Sequence, residues 1–170
     1  MMREPKWLEW ARAQVGVTET PGPADNPKVI RYFALAGLRG APFNDDETPW
    51  CAAFVGAALT SVGLNGTRSA AARSYEKWKE GKVIQFPVLG AIAVLHRNPP
   101  KPGLGHVGFV VGASATEVAL LGGNQKDMVC VNRFARSRVI CFQWPKNELI
   151  HSDWMNPPID PKASLGGSVV

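Results

Sequence analysis

Long apolar runs are missing from this chain of 170 residues, and none approaches the roughly 18 consecutive residues that a membrane-spanning helix needs. Insertion into a membrane is therefore not expected. Residues 1–14 mix charges with tryptophans and lack both a continuous apolar core and a small-residue cleavage site. The expectation is synthesis in the cytoplasm without a Sec-type signal peptide. Cysteine is scarce: three residues, Cys51, Cys130 and Cys141, are too few for a disulfide scaffold. None forms the close C-x-x-C pair that a structural zinc site wants, so neither metal nor cofactor is expected. Acidic residues are outnumbered, 14 against 19 basic ones, for a net charge of +5 and a pI near 9.3. The positive charges are scattered, with Arg133, Arg136 and Arg138 the densest group, and no nucleic-acid-binding motif accompanies them. Nucleic acid is thus not an expected partner, whereas an anionic polymer surface is compatible.

Hydrophobic residues make up 45% and charged residues 19%, the balance of a globular domain with a real core. No internal repeat or linker divides the chain, so residues 1–155 read as one domain and 156–170, rich in Pro and Gly, as a flexible tail. A monomer is the default.

The first half has helical periodicity. Trp7, Leu8, Ala11 and Val15 share one face, and Gly16 stops that helix. Asn26 followed by Pro27 reads as a cap and first position. Thr48-Pro49 repeats that signal before a helix over residues 50–62, WCAAFVGAALTSV, apolar nearly all round and hence central. A weaker helix is expected near 70–78. After Gly81 the period shortens. Segments 88–95, 105–113 and 117–122 are short and apolar, and 128–134 with 138–144 read as an antiparallel hairpin. Helices first and about five antiparallel strands after imply an α+β fold. If the hairpin turn is centred between Ala135 and Arg136, Cys130 and Cys141 face each other and a disulfide becomes possible in an oxidising compartment.

Cys51 falls in the first turn of the central helix, where unpaired backbone N–H groups and the positive helix end favour an anion. A thiol there is expected to have a lowered pKa, and the same N–H groups are placed to hold an oxyanion. A buried core cysteine is the plain alternative. Asp45, Asp46 and Glu47 just upstream would push the thiol pKa up, so a base is needed. Of the three histidines, His106 opens the apolar strand GHVGFVVG, where packing gives a titratable residue no reason to be. His96 is the second candidate and His151 a surface residue. A third group must orient the base, and the turn Gly-Gly-Asn-Gln offers Asn124 and Gln125.

Together, PWCAAFVGAAL, GHVGFVVG about 55 residues on, and LGGNQ resemble the bacterial cell-wall cysteine peptidases of the NlpC and CHAP type, in particular their small prophage-encoded branch. The resemblance extends over residues 7–145. It implies a papain-like fold, Cys51 as nucleophile, His106 as base and Asn124 as the third residue, with Gln125 as the alternative or as a substrate contact. It implies peptidoglycan as substrate, cut at a stem-peptide or muramoyl–alanine amide, with no metal. It also implies action on the wall after release by a holin, or delivery as a toxin with an immunity partner. Trp50 is expected to wall the cleft, with Asp46 and Glu47 facing a substrate amine. One departure is Gly90-Ala91, where the family has Gly-Asp. The competing readings are a silent wall-binding module and a cysteine acyl transferase.

Overall fold

The computed structural model describes residues 3–165. Three α-helices precede a seven-stranded sheet, and the architecture is α+β. Helix α1 (Lys6–Ala13) buries Trp7, Leu8 and Ala11 on one stripe. The indole of Trp7 donates to the Gly90 carbonyl at 2.8 Å, which ties α1 to the sheet. Helix α2 (Pro27–Leu35) begins as its sequence says: Asn26 accepts from the Lys28 N–H at 2.9 Å, and Pro27 takes the first position, where no donor is needed.

Helix α3 (Cys51–Ser61) is the centre of the molecule, buried at every position from Cys51 to Leu59. Its small residues allow close approach, since a Cβ added at Gly56 would lie 2.9 Å from that of Ala36 just after α2. It starts later than the Thr-Pro signal suggests. Trp50 is the cap, and the Thr48 hydroxyl donates to the Pro42 carbonyl instead of capping. A turn closed by the Thr48 N–H on the Asp45 carbonyl occupies 45–48 and delays the helix. The weaker helix is a 3-10 segment, Ala72–Lys77.

The strands are β1 (Gly81–Ile84), β2 (Ile92–His96), β3 (Gly105–Ala113), β4 (Glu117–Gln125), β5 (Met128–Ala135), β6 (Val139–Pro145) and β7 (Ser164–Leu165). Their order is β1-β6-β2-β3-β4-β5-β7, antiparallel throughout except for β5 with β7. Two strands exceed the expected five. β1 is short with two exposed positions, and β7 lies in the supposed tail, so neither shows an apolar pattern.

The expected β5–β6 hairpin is not formed. A 3-10 turn, Arg136–Arg138, follows β5, and β6 inserts between β1 and β2, with β2, β3 and β4 separating it from β5 in the sheet order. Trp144 explains the choice: on β6 it reaches the tryptophan cluster, with ring centroids 5.2 Å from Trp7 and 6.0 Å from Trp154. Cys130 therefore faces Gly122 and Cys141 faces Val94, and both are free thiols. The disulfide is excluded by topology.

Residues 156–165 also differ from the flexible tail expected. The Asn156 N–H donates to Pro87, the Ala113 N–H donates to Pro157, and Ile159 lies over Gly112, where a side chain would collide at 2.8 Å. Prolines give up donors but keep their carbonyls, and the end of β3 uses that of Pro157. The rest of that expected tail, 166–170, lies outside the described residues. No helix of the described residues is long and apolar enough to cross a membrane.

Candidate active site

α3 packs against β3 and β4, and this contact brings the chemistry-bearing residues together. Cys51 is the first residue of α3, and His106 is the second residue of β3. Both line one cleft of about 120 Å³, together with Asn124, Arg97 and Arg138. That volume holds a few waters or one planar amide, so a longer substrate would lie across the mouth. A larger hollow of about 540 Å³ lies between α1 and the segment around Trp154, and its lining holds no cysteine.

Cys51 is buried, and burial pushes its thiol pKa up; the backbone N–H groups of Val107, Ala52 and Cys51 itself pull it down, but less. The expected lowering is thus overturned by desolvation. The upstream carboxylates are not the cause. His106 is buried too, and its pKa falls from 6.5 to about 4, chiefly by burial, with the Arg138 charge adding to the effect and a hydrogen bond to Gln125 opposing it. With both side chains buried, the resting pair is a neutral thiol and a neutral imidazole.

The tautomer of that imidazole is fixed by its neighbour. Gln125 is fully buried, and its Nε2 donates to the carbonyls of Cys130 at 2.6 Å and Leu120 at 3.2 Å. Carbonyl oxygens only accept, so the amide cannot be flipped, and Oε1 must face His106 Nε2 at 2.9 Å. Nε2 therefore carries the proton. Nδ1, the nitrogen turned away from Gln125, keeps its lone pair.

Gln125, not Asn124, is thus the residue that orients His106. Asn124 sits in the left-handed region at φ 55°, which asparagine tolerates, and this kink, within the register break of β4 after Gly122, turns Gln125 inward and leaves Asn124 at the cleft. Gly122 makes the space: a Cβ there would lie 2.7 Å from Gln125 Oε1. A Cβ at Gly123 would strike Phe54 and Trp50 at 2.6 Å, so this glycine lets β4 lie against the start of α3. The pair of glycines was the sequence signal available, and it reads as an ordinary turn.

The expected substrate contacts separate. Trp50 is fully buried, packs on Tyr32 and donates to Glu19 at 2.8 Å, so it belongs to the core and does not wall the cleft. Asp46 is also fully buried; its Oδ2 accepts from the Thr20 and Asn26 N–H groups at 2.8 and 2.7 Å, which staples two loops. Neither faces a substrate. Glu47 is exposed and lines a separate shallow hollow with Asp25 and Asp45. His96 is exposed, and only its backbone carbonyl reaches the site, as acceptor for Arg138. His151 lies on the surface against Trp154. Ala91, in place of the family's acid, is fully buried in the core.

Arg97, in the connection after β2, and Arg138, which the sequence places at a hairpin tip, join the cleft without a local signal in the sequence. Among the described residues, one acidic group, Asp25, Asp45 and Asp46, has oxygens within 4.8 Å of one another and is close enough to hold a cation. It lies on the loops ahead of α3, apart from the residues lining the Cys51 cleft. A scan of protein-family models, a search of curated proteins and a search of solved structures each find no match to this chain.

Proposed function

We propose that this chain is a papain-like cysteine amidohydrolase that cuts peptidoglycan, at an amide of the peptide stem or at the muramoyl–alanine linkage. The observation that supports the hydrolytic chemistry is a buried His106, held by Gln125, sharing a cleft with a cysteine at a helix N-terminus. The choice of peptidoglycan rests on the resemblance carried by PWCAAFVGAAL, GHVGFVVG and LGGNQ.

In this reading His106 Nδ1 removes the thiol proton as Cys51 Sγ attacks the amide carbonyl. Proton transfer and attack are concerted, because neither ion is favoured in the resting cleft. Backbone N–H groups in the first turn of α3, which has no side-chain cap, hold the developing oxyanion. Imidazolium then gives its proton to the leaving amine, and the acyl group stays on sulfur as a thioester. Water, deprotonated by the same Nδ1, releases the acid and restores the thiol. Gln125 acts as the positioning residue throughout. No step needs a metal.

The chain would reach the wall through release by a holin, or by delivery as a toxin alongside an immunity protein. It acts as a monomer.

The test is loss of turbidity of purified peptidoglycan with wild-type protein and with Cys51→Ala, followed by mass spectrometry of the soluble products. Clearing by wild type alone, with new free amino groups, is expected, and the fragment masses identify the bond. New amide links instead of free acids would mean acyl transfer. No clearing on several wall chemotypes, with wall binding retained by both proteins, would replace this reading with that of a binding module.

A further inference from the structure

Two guanidinium groups stand at the mouth of the cleft, and the chemistry just described leaves them without a role. Arg138 is held firmly: its Nε and Nη2 both donate to the His96 carbonyl, at 3.1 and 3.0 Å. Its guanidinium carbon lies 5.3 Å from the centre of the Phe134 ring, and that ring packs at 5.4 Å on His106. The arginine is therefore positioned by the same stack that holds the base. A guanidinium has five N–H donors, so most of the fork remains open. Arg97 follows His96 in the chain and lines the same cleft.

Neither charge is answered. Among the described residues the ion pairs join Arg12 to Glu4, Arg73 to Glu76 and Arg133 to Glu117, and none includes Arg97 or Arg138. Burial also disfavours the charge on Arg138, lowering its pKa. A partly desolvated cation is costly unless an anion or a full set of acceptors meets it. Two of them flanking a cysteine and a histidine amount to a site prepared for an anionic group.

We propose that Arg97 and Arg138 form a carboxylate-binding subsite beside Cys51, so that the substrate carries a free carboxylate next to the amide that is cut. The planar fork of arginine matches a carboxylate in two-point contact. Peptide stems carry carboxylates one residue from their amides, within reach of a cleft this small. A bound carboxylate has a second consequence. It offsets the Arg138 charge that opposes protonation of His106, and so eases the proton transfer from Cys51. The subsite thereby rewards the anionic substrate at the transition state as well as in binding. This substrate preference rests on the hydrolase reading above; the anion subsite itself does not.

The test is the rate of alkylation of Cys51 by iodoacetate relative to iodoacetamide, followed on the Cys51 peptide by mass spectrometry so that Cys130 and Cys141 do not interfere. Both reagents need the same thiolate, so thiol ionisation cancels in the ratio. The ratio is expected to fall about tenfold or more in Arg97→Gln/Arg138→Gln, and to be only partly kept in Arg138→Lys, which retains the charge but not the fork. Arg97→Gln alone, which leaves the Arg138 stack intact, gives a smaller fall and covers misfolding of the double variant. An unchanged ratio in these variants overturns the proposal. With stem peptides as substrate, the wild type should favour a free over an amidated carboxylate beside the scissile bond about tenfold. Equal hydrolysis of both would overturn the subsite and leave the hydrolase standing. No hydrolysis of either would sink the hydrolase reading, and the alkylation ratio then decides the subsite alone.

Discussion

The inner and outer walls of the Cys51 cleft are built on opposite terms. On the inner wall, His106 and Gln125 are buried, and the hydrogen-bonding atoms of the Gln125 side chain have partners in the protein. On the outer wall, Asn124, Arg97 and Arg138 are half-buried, and the two arginines face the cleft without a carboxylate. That wall holds geometry and keeps a single free atom, the Nδ1 lone pair of His106. The outer wall keeps unused donors, which cost stability until something arrives to meet them. The difference separates positioning from recognition in one small cleft, and it runs between two adjacent residues, Asn124 and Gln125.

That boundary is sharpest where breaking it should hurt most. Gln125→Leu keeps the volume but removes the acceptor that holds His106 Nε2–H, so the ring is free to adopt the wrong tautomer. Hydrolysis is expected to fall about a hundredfold or more. Asn124→Ala, one residue away, should cost about threefold or less if it serves recognition alone. Gln125→Glu restores an acceptor and adds a charge that favours imidazolium, so it should shift the acid limb of the pH–rate profile upward. Rates on purified wall for the three variants check the comparison. Similar losses at 124 and 125 would erase the boundary.

Much of the fold is legible before any coordinates. The Asn26–Pro27 cap, the all-apolar α3 and the limits of β3 follow from local chemistry, and the α+β class follows from their order. Cys51 is readable from its place at the helix start, and His106 because it opens an apolar strand where packing alone would not put it. What fails is long-range pairing. Nothing within 128–145 says that Trp144 will seek Trp7, so β6 is assigned to β5 and Arg138 is left at a hairpin tip. The exchange of Asn124 for Gln125 has a local origin. A positive φ at Asn124 decides which of two neighbouring amides turns inward, and composition does not encode that choice. Burial also defeats local reasoning about Cys51, because the helix end favours the thiolate while the surrounding core, invisible in the sequence, opposes it more strongly.

The cost of the inner wall should appear as pH-dependent stability. His106 in the folded protein has its pKa lowered from 6.5 to about 4. Above pH 6.5 both folded and unfolded states hold it neutral, and its contribution is fully present. As the pH falls from 6.5 toward 4 the unfolded chain takes up a proton that the folded one refuses, so stability drops. The loss between pH 7 and pH 4.5 is about 2–3 kcal/mol. Urea midpoints of wild type and His106→Asn at both pH values isolate it. The variant should be less sensitive to acid by that amount, and equal sensitivity would mean that the inner wall is more open to water than its burial indicates.

A gentler disturbance tests the space behind the pair. Gly122→Ala places a methyl group 2.7 Å from Gln125 Oε1, too close to stay without a shift. The amide must move off His106, at a cost of about 1–2 kcal/mol in stability and about tenfold in hydrolysis. Thermal unfolding and wall-clearing rates measure both. Loss of stability with full activity would mean that Gln125 moves and the base does not need it.

The smallest effect belongs to Cys130, and it bears on how the inner wall is held. Its backbone carbonyl is the nearer acceptor for Gln125 Nε2, at 2.6 Å, while its sulfur lies 3.9 Å from the same nitrogen and 3.3 Å from the Gln125 carbonyl. Thiols are weak donors and acceptors, so the side chain adds little to what the backbone supplies. Cys130→Ala removes the sulfur and leaves the carbonyl, and activity should stay within about threefold of wild type. The pairing of Cys130 with Gly122 on β4 fixes that carbonyl whatever the side chain is. A large loss would assign the thiol a part in orienting Gln125, and the inner wall would then depend on residue chemistry where its geometry points to the strand itself.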